Sequence, residues 1–151
     1  MKIITVNRKA FHDYEILDKF EAGLALTGSE VKSIRAGMVN LKDSYVEIRE
    51  REAFLISAHI SQYSNASYNN HEPGRRRKLL LRRQEIHRLD QRVKTRGVSI
   101  IPLQLYFTPR GLIKIEIALA KGKREYEKKQ RIKEKDVRRE MERDLRYYKK
   151  R

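Results

Sequence analysis

A strand–turn–strand signal in the C-terminal half constrains the fold more than any other feature of the chain. Val98 to Phe107 reads Val-Ser-Ile-Ile-Pro-Leu-Gln-Leu-Tyr-Phe, rich in the β-branched and aromatic residues that pack well on a pleated surface. Thr108-Pro109-Arg110-Gly111 follows as a turn signal. In Leu112 to Ala120, the residues Ile113, Ile115, Ile117 and Leu119 alternate with Lys114 and Glu116. Successive side chains of a strand point to opposite faces, so this strand has a core face and a wet face. The two runs predict a hairpin. Pro102 cannot donate to a strand ladder and is expected near an edge or a bulge.

A second hairpin is predicted upstream, from Asp43–Glu50 and Ala53–Ile60, joined by Arg51-Glu52. Phe54, Ile56, Ala58 and Ile60 fall on one parity of its second strand. Tyr14 to Phe20 and Leu24-Ala25-Leu26 read as further short strands, and Asn7 to Tyr14 as a polar lead into the first of them. Two helices interrupt these strands. One runs from Gly28 to Gly37, with Ser29 as N-cap, Gly37 as stop, and Val31 and Ile34 marking its buried side. The other spans Gln84 to Arg96, with Ile86, Leu89 and Val93 on one face and Gly97 as stop. Ser61 to Gly74 reads as an exposed loop, and Leu79-Leu80-Leu81 is open between strand and helix start. Five to seven short strands with one or two helices predict a mainly β fold. A small barrel of the oligonucleotide-binding (OB) type fits the length and the charge. The pattern alone also admits a β-sandwich or a ferredoxin-like sheet.

Charge points to the partner. Charged residues are 37% of the chain, against about 25% in ordinary domains, and the net charge is +16. The excess is segregated. Arg75 to Arg96 carries ten Lys/Arg and two acids, Lys121 to Arg151 carries fifteen and seven, and the remainder is neutral. Solubility does not require such blocks, whereas a polyanion such as nucleic acid is attracted by them. The chain has no cysteine, which excludes disulfides, Cys-ligated zinc, iron–sulfur clusters and thiol catalysis. No apolar run approaches the roughly 18 residues of a membrane span, and Met1 to Asn7 does not resemble a signal peptide. A cytoplasmic monomer without membrane contact is expected.

Residues 121–151 differ in character from the barrel expected over 1–120. Val137, Met141, Leu145 and Tyr148 form one narrow helical stripe, supported by Glu134–Arg138 and Glu142–Arg146 pairs. A lone stripe buries too little to hold a helix by itself. The tail is therefore expected to become helical against a partner.

Catalytic chemistry is poorly supplied. His12, His59, His71 and His87 show no metal-ligand spacing, the acids are scattered, and no phosphate-loop motif is present. The expectation is a non-enzyme without cofactor or metal. Arg75-Arg76-Arg77-Lys78 and Arg82-Arg83 can neutralise phosphates. His12, Tyr14, Tyr63, Tyr68 and His71 can stack on unpaired bases.

Several segments carry a resemblance. Asn7-Arg8-Lys9-Ala10, the run from Glu21 to Gly37 (Glu-Ala-Gly-Leu-Ala-Leu-Thr-Gly-Ser-Glu-Val-Lys-Ser-Ile-Arg-Ala-Gly), Asp43-Ser44-Tyr45-Val46, Arg77-Lys78-Leu79-Leu80-Leu81 and Ala118-Leu119-Ala120-Lys121-Gly122-Lys123 stand in this order. The chain resembles the small protein B (SmpB) family, the SsrA-binding proteins of bacteria. The resemblance implies an OB-type barrel that binds the tRNA-like domain of transfer-messenger RNA (tmRNA) and delivers it to stalled ribosomes. It also implies a basic tail that becomes helical in the empty messenger channel. Carried over by position, RNA-binding roles fall on Glu21, Leu80 and Lys114, with Asn7, Arg8, Lys9, Lys32 and Arg35 as further contacts. Ribosome-binding roles fall on His12 and on Glu127, Lys128 and Lys129. The last three stand where the family has Asp-Lys-Arg. Lysine lacks the planar fork of arginine, so a bidentate contact there is weakened.

Overall fold

The computed structural model describes residues 1–63, 70–123 and 138–143. Nine strands occur among them: β1 (Lys2–Val6), β2 (Tyr14–Leu24), β3 (Val39–Asn40), β4 (Tyr45–Arg49), β5 (Glu52–Ile56), β6 (His59–Ile60), β7 (Arg77–Leu80), β8 (Val98–Phe107) and β9 (Ile113–Gly122). The helices α1 (Arg8–Asp13), α2 (Gly28–Arg35) and α3 (Arg83–Val93) accompany them, and residues 138–143 are also helical. The main sheet runs β1-β8-β4-β5-β7-β2-β9, and β9 returns to pair with β8. Six antiparallel strands thus close into a ring, with β1 added beside β8. Closure removes the unpaired edges that an open sheet would expose. The mainly β architecture with embedded helices is the one expected from the sequence.

The C-terminal hairpin forms as predicted. Val98 pairs with Lys121 and Phe107 with Ile113, and the register shifts between Pro102 and Gln104. Pro102 therefore sits at the ladder irregularity its missing N–H demands. Ile115, Ile117 and Leu119 enter the barrel core with Phe20, Leu55, Leu79, Leu89 and Leu105. On the opposite face, Ala118 and Ala120 join Ala10, Ile101 and Leu103 in a second small core. The two alanines leave room there for α1 to pack across the sheet.

Local pattern misplaced several elements. Tyr14–Phe20 and Leu24–Leu26 are not separate strands: β2 runs unbroken through Glu21-Ala22-Gly23, because β9 offers a partner along nearly its full length. Residues 7–14 are not merely a lead into β2. They form α1, whose six residues are too few to show a helical period. The β4–β5 turn is Glu50-Arg51, one residue earlier than expected, with φ of 51° and 63°. Such a two-residue turn matches strand twist, but the left-handed conformation costs about 1–2 kcal/mol per non-glycine residue. The strand expected to reach Ile60 breaks at Ser57, also left-handed at φ 63°. This break changes the parity. Ala53 and Leu55 face the core rather than Phe54 and Ile56, and Ala58 and Ile60 are buried beyond the break. The α2 cap is Thr27, not Ser29. Thr27 Oγ1 accepts from the Glu30 N–H, and Glu30 accepts from the Thr27 N–H at 2.8 Å. Gly37 ends α2 at φ 75° as expected. Leu79 and Leu80 are strand. In the loop expected over 61–74, His71 is buried, bonded to Ser29 Oγ and to the Ile60 carbonyl.

One tie between elements is a buried ion pair. Glu30 and Arg77 are both fully buried. Arg77 Nε donates to Glu30 Oε2 at 2.5 Å, Nη1 to the Ala58 carbonyl at 2.9 Å, and Nη2 to the Pro73 carbonyl at 3.0 Å. Arg75 Nη2 donates to Glu30 Oε1 at 2.6 Å. Burial alone would raise the Glu30 pKa, but the bonds from Arg75, the Thr27 N–H and Arg77 outweigh it and hold the carboxyl at about 2, below its ordinary 4.5.

Removing one partner of such a pair leaves a buried charge uncompensated, at a cost of about 3–5 kcal/mol. Arg77→Ala is expected to lose stability of that order in urea unfolding. The unfolded Glu30 carboxyl binds its proton before the folded one does, so its stabilisation is complete above pH 4.5 and is lost as pH falls toward 2. Glu30→Gln is expected to flatten the stability profile over that window.

Candidate nucleic-acid interface

β2 and β9 place the candidate RNA residues by register. Gly23 on β2 is opposite both Leu80 on β7 and Lys114 on β9. A Cβ at position 23 would lie 3.3 Å from Leu80 Cβ, so glycine makes the space into which Leu80 leans. Leu80 is 54% exposed and Leu112 is 56% exposed. With Leu24, Leu26 and Val31 they line a groove of about 360 Å³, and Arg35 from α2 and Lys114 from β9 also line it. Neither cation has an ion pair among the described residues. Contiguous exposed apolar surface of this kind marks interaction sites. Flanked by two free cations, it offers apolar contact to base or ribose and charge to phosphate.

Glu21 stands two residues before Gly23 and opposite Glu116. The phenol of Tyr106 donates to Glu21 Oε2. Burial of Tyr106, then the Glu21 bond and charge, raise its pKa above the ordinary 10. Glu116 is 3.9 Å from Lys19. Both carboxylates on this face are thus partnered, while Lys114 has no ion pair among the described residues.

The remaining expected contacts lie elsewhere. Asn7 is a correction: it is buried, and its side chain is spent on the fold. Its Oδ1 accepts from the Ala10 N–H, capping α1, and its Nδ2 donates to the Pro102 carbonyl at 2.9 Å. Arg8 and Lys9 are exposed on α1, and Lys9 Nζ is 2.7 Å from Asp43. His12, on the same helix, donates from Nδ1 to Asp13 at 2.8 Å. In a neutral ring that bond leaves Nε2 as an acceptor. Lys32 is on α2, its Nζ 5.7 Å from the centre of the Tyr63 ring. At about 3.3 Å per residue, β2 separates α1 from the Leu80 groove by up to about 30 Å. Glu127, Lys128 and Lys129 lie outside the described residues, as do Tyr68 and the stripe residues Val137, Leu145 and Tyr148. Residues 138–143 are helical, and Met141 is exposed.

Within the basic block over 75–96, the run 75–78 is a further correction. Arg77 cannot meet phosphate, because it is buried against Glu30. Arg75 shares that carboxylate, Arg76 lies 4.3 Å from the Phe54 ring centre, Lys78 pairs with Glu52, and Arg92 is 3.6 Å from Asp18. Tyr106, Gly23 and Leu112 were not singled out from the sequence. Only Gly23 carried a signal, since glycine inside a strand marks close approach. Among the described residues, no group of three His, Cys, Asp or Glu is placed to hold a metal ion. No described helix is long and apolar enough to cross a membrane.

Most of the chain has counterparts among known proteins. The family model for SmpB protein matches residues 4–147. An SsrA-binding protein of Syntrophobacter fumaroxidans is 55% identical over 142 residues, covering 94% of this chain and 88% of the relative. One of Thermosipho melanesiensis is 52% identical over 139 residues, covering 92% and 95%. A solved chain described as "tmRNA-SmpB: a journey to the center of the bacterial ribosome" matches with a TM-score of 0.68 and 45% identity, over 80% of this chain and 85% of that one.

The Tyr106–Glu21 bond can be read by alkaline titration followed at the tyrosinate absorbance. Tyr106 is expected to stay neutral where ordinary tyrosines ionise near 10, and Glu21→Gln is expected to lower its midpoint. No change in that midpoint would show that the bond does not form in solution.

Proposed function

Because the chain belongs to the SmpB family, we propose that it binds the tRNA-like domain of tmRNA and brings it to stalled ribosomes for trans-translation. In this reading it is an adaptor without catalysis of its own. The observation that carries the RNA grip is the convergence of Leu80, Lys114 and Arg35 on one groove. Three distant segments of sequence supply an apolar floor and two cations without ion pairs among the described residues. The names of the relatives and the tmRNA-SmpB neighbour support the same RNA and the ribosome as partners.

The arrangement suits an adaptor because its two ends are separated. The groove lies at the far end of β2 and takes the RNA elbow. Lys114 and Arg35 meet phosphate, Leu80 packs on ribose or base, and Glu21, oriented by Tyr106, accepts a base or ribose donor. His12 lies on α1, before the start of β2, and presents an imidazole acceptor to the decoding region. In sequence, the basic segment that follows β9, with Glu127, Lys128 and Lys129 near its start, is the part assigned to the empty messenger channel. Arg8, Lys9 and Lys32 add phosphate contacts outside the groove.

The test is a competition titration with labelled tmRNA and excess unrelated structured RNA at two salt concentrations. Wild-type binding is expected to survive the competitor. Lys114→Ala and Arg35→Ala are each expected to weaken it and to reduce the salt slope by about 0.7 to 0.9 per lost phosphate contact. Leu80→Ala is expected to weaken it with the slope unchanged. Equal displacement by the unrelated RNA at both salts would reduce the protein to a general RNA binder.

A further inference from the structure

A second cleft, of about 450 Å³, lies between the β4–β5 hairpin and residues 83–90 of α3. It shares no lining residue with the groove at Leu80 and Lys114. Arg83, Ile86, His87 and Asp90 stand at i, i+3, i+4 and i+7 and so share one helix face. Ile48 and Arg51 line it from the hairpin. The chemistry of this lining is mixed in an informative way. Ile48 and Ile86 are half-buried and apolar. Arg51 and Arg83 come from opposite walls, and neither has an ion pair among the described residues. Asp90 is a half-buried carboxylate, also with no hydrogen bond or ion pair among the described residues.

A bare phosphate would meet repulsion from Asp90. An apolar ligand would leave two arginines and a carboxylate unanswered. A nucleotide answers all three, having an anionic phosphate, apolar ring faces and, on most bases, an exocyclic amine. The volume is within the range of small-ligand sites, about 300–1,000 Å³. The positive charge of the chain favours RNA over a free metabolite as its source.

We propose that this cleft seats one unstacked nucleotide of an RNA strand. The phosphate lies between Arg51 and Arg83, and the base rests on Ile48 and Ile86 beside the His87 ring. An exocyclic amine donates to Asp90. Carboxylates read cytosine through its N4 amine. In uracil the only ring donor is flanked by two carbonyl oxygens, which repel a carboxylate. The cleft therefore prefers cytidine to uridine. This site is separate from the tmRNA grip, and its test uses no tmRNA, so either reading can fail alone.

The experiment titrates the full chain with cytidine monophosphate, uridine monophosphate and inorganic phosphate, following the His87 ring resonance by NMR. Cytidine monophosphate is expected to shift it saturably and to bind about tenfold more tightly than the other two. The Arg51→Ala/Arg83→Ala double variant is expected to weaken binding about tenfold, and Asp90→Asn to remove the cytidine preference. Arg51→Ala alone, on the exposed turn, carries the test if the double variant does not fold. Inorganic phosphate binding as tightly as the nucleotide would overturn the proposal in favour of a simple anion contact. A His87 resonance unmoved up to about 20 mM nucleotide, far above useful affinity, would also overturn it. So would a cytidine preference that survives Asp90→Asn.

Discussion

Glu30 is the charge around which one side of the barrel is organised. It has no contact with water, and burying a lone carboxylate would be prohibitive. Two guanidiniums and a backbone N–H make it tolerable. Through Arg77 the same carboxylate connects α2 to β7, to the loop carbonyls at 72 and 73, and to the Ala58 carbonyl after β5. Placement of α2 therefore depends on it. Val31 and Arg35 of α2 form one wall of the Leu80 groove, so a buried ion pair remote from that surface sets its shape.

Free charge and spent charge are separated by this architecture. The block over 75–96 is strongly basic in sequence, but its first four cations are engaged by Glu30, Phe54 or Glu52. The cations available at the groove, Arg35 and Lys114, come from outside that block. Net charge brings a polyanion toward the molecule over long range, whereas in the proposed reading the groove selects by shape and by two point contacts. The two roles fall on different residues.

The long β2–β9 pairing provides the rigid frame between the two ends. It carries Glu21 and Lys114 on its wet face and, beyond Tyr14, continues into α1 with His12. The small alanines at 118 and 120 let α1 seat against the sheet, and Asn7 caps it from within. A buried Asn7 thus holds the helix that carries Arg8, Lys9 and His12 in place.

Much of this was legible along the chain. Period-two alternation placed the β8–β9 hairpin and set Lys114 on its wet face, because side-chain direction in a strand is a local property. Helical periodicity and stop glycines marked α2 and α3 for the same reason, although the cap of α2 is Thr27 rather than Ser29, and the segregated charge indicated a polyanion. What local pattern could not decide was which partner each residue would meet. Arg77 and Lys78 are neighbours of like charge, and only a carboxylate 47 residues away draws Arg77 inside. Phe54 and Leu55 are equally apolar, and only the left-handed Ser57 and the pairing to β7 decide that Leu55 faces the core. Asn7 turns inward because the Pro102 carbonyl, 95 residues on, needs its amide. Burial of a polar group is settled by long-range partners. Helix α1 and the unbroken β2 came from the tertiary structure, while the sequence determined the mainly β class, the β8–β9 hairpin, α2, α3 and the class of ligand. The tertiary structure alone decided which charges remained free to bind it.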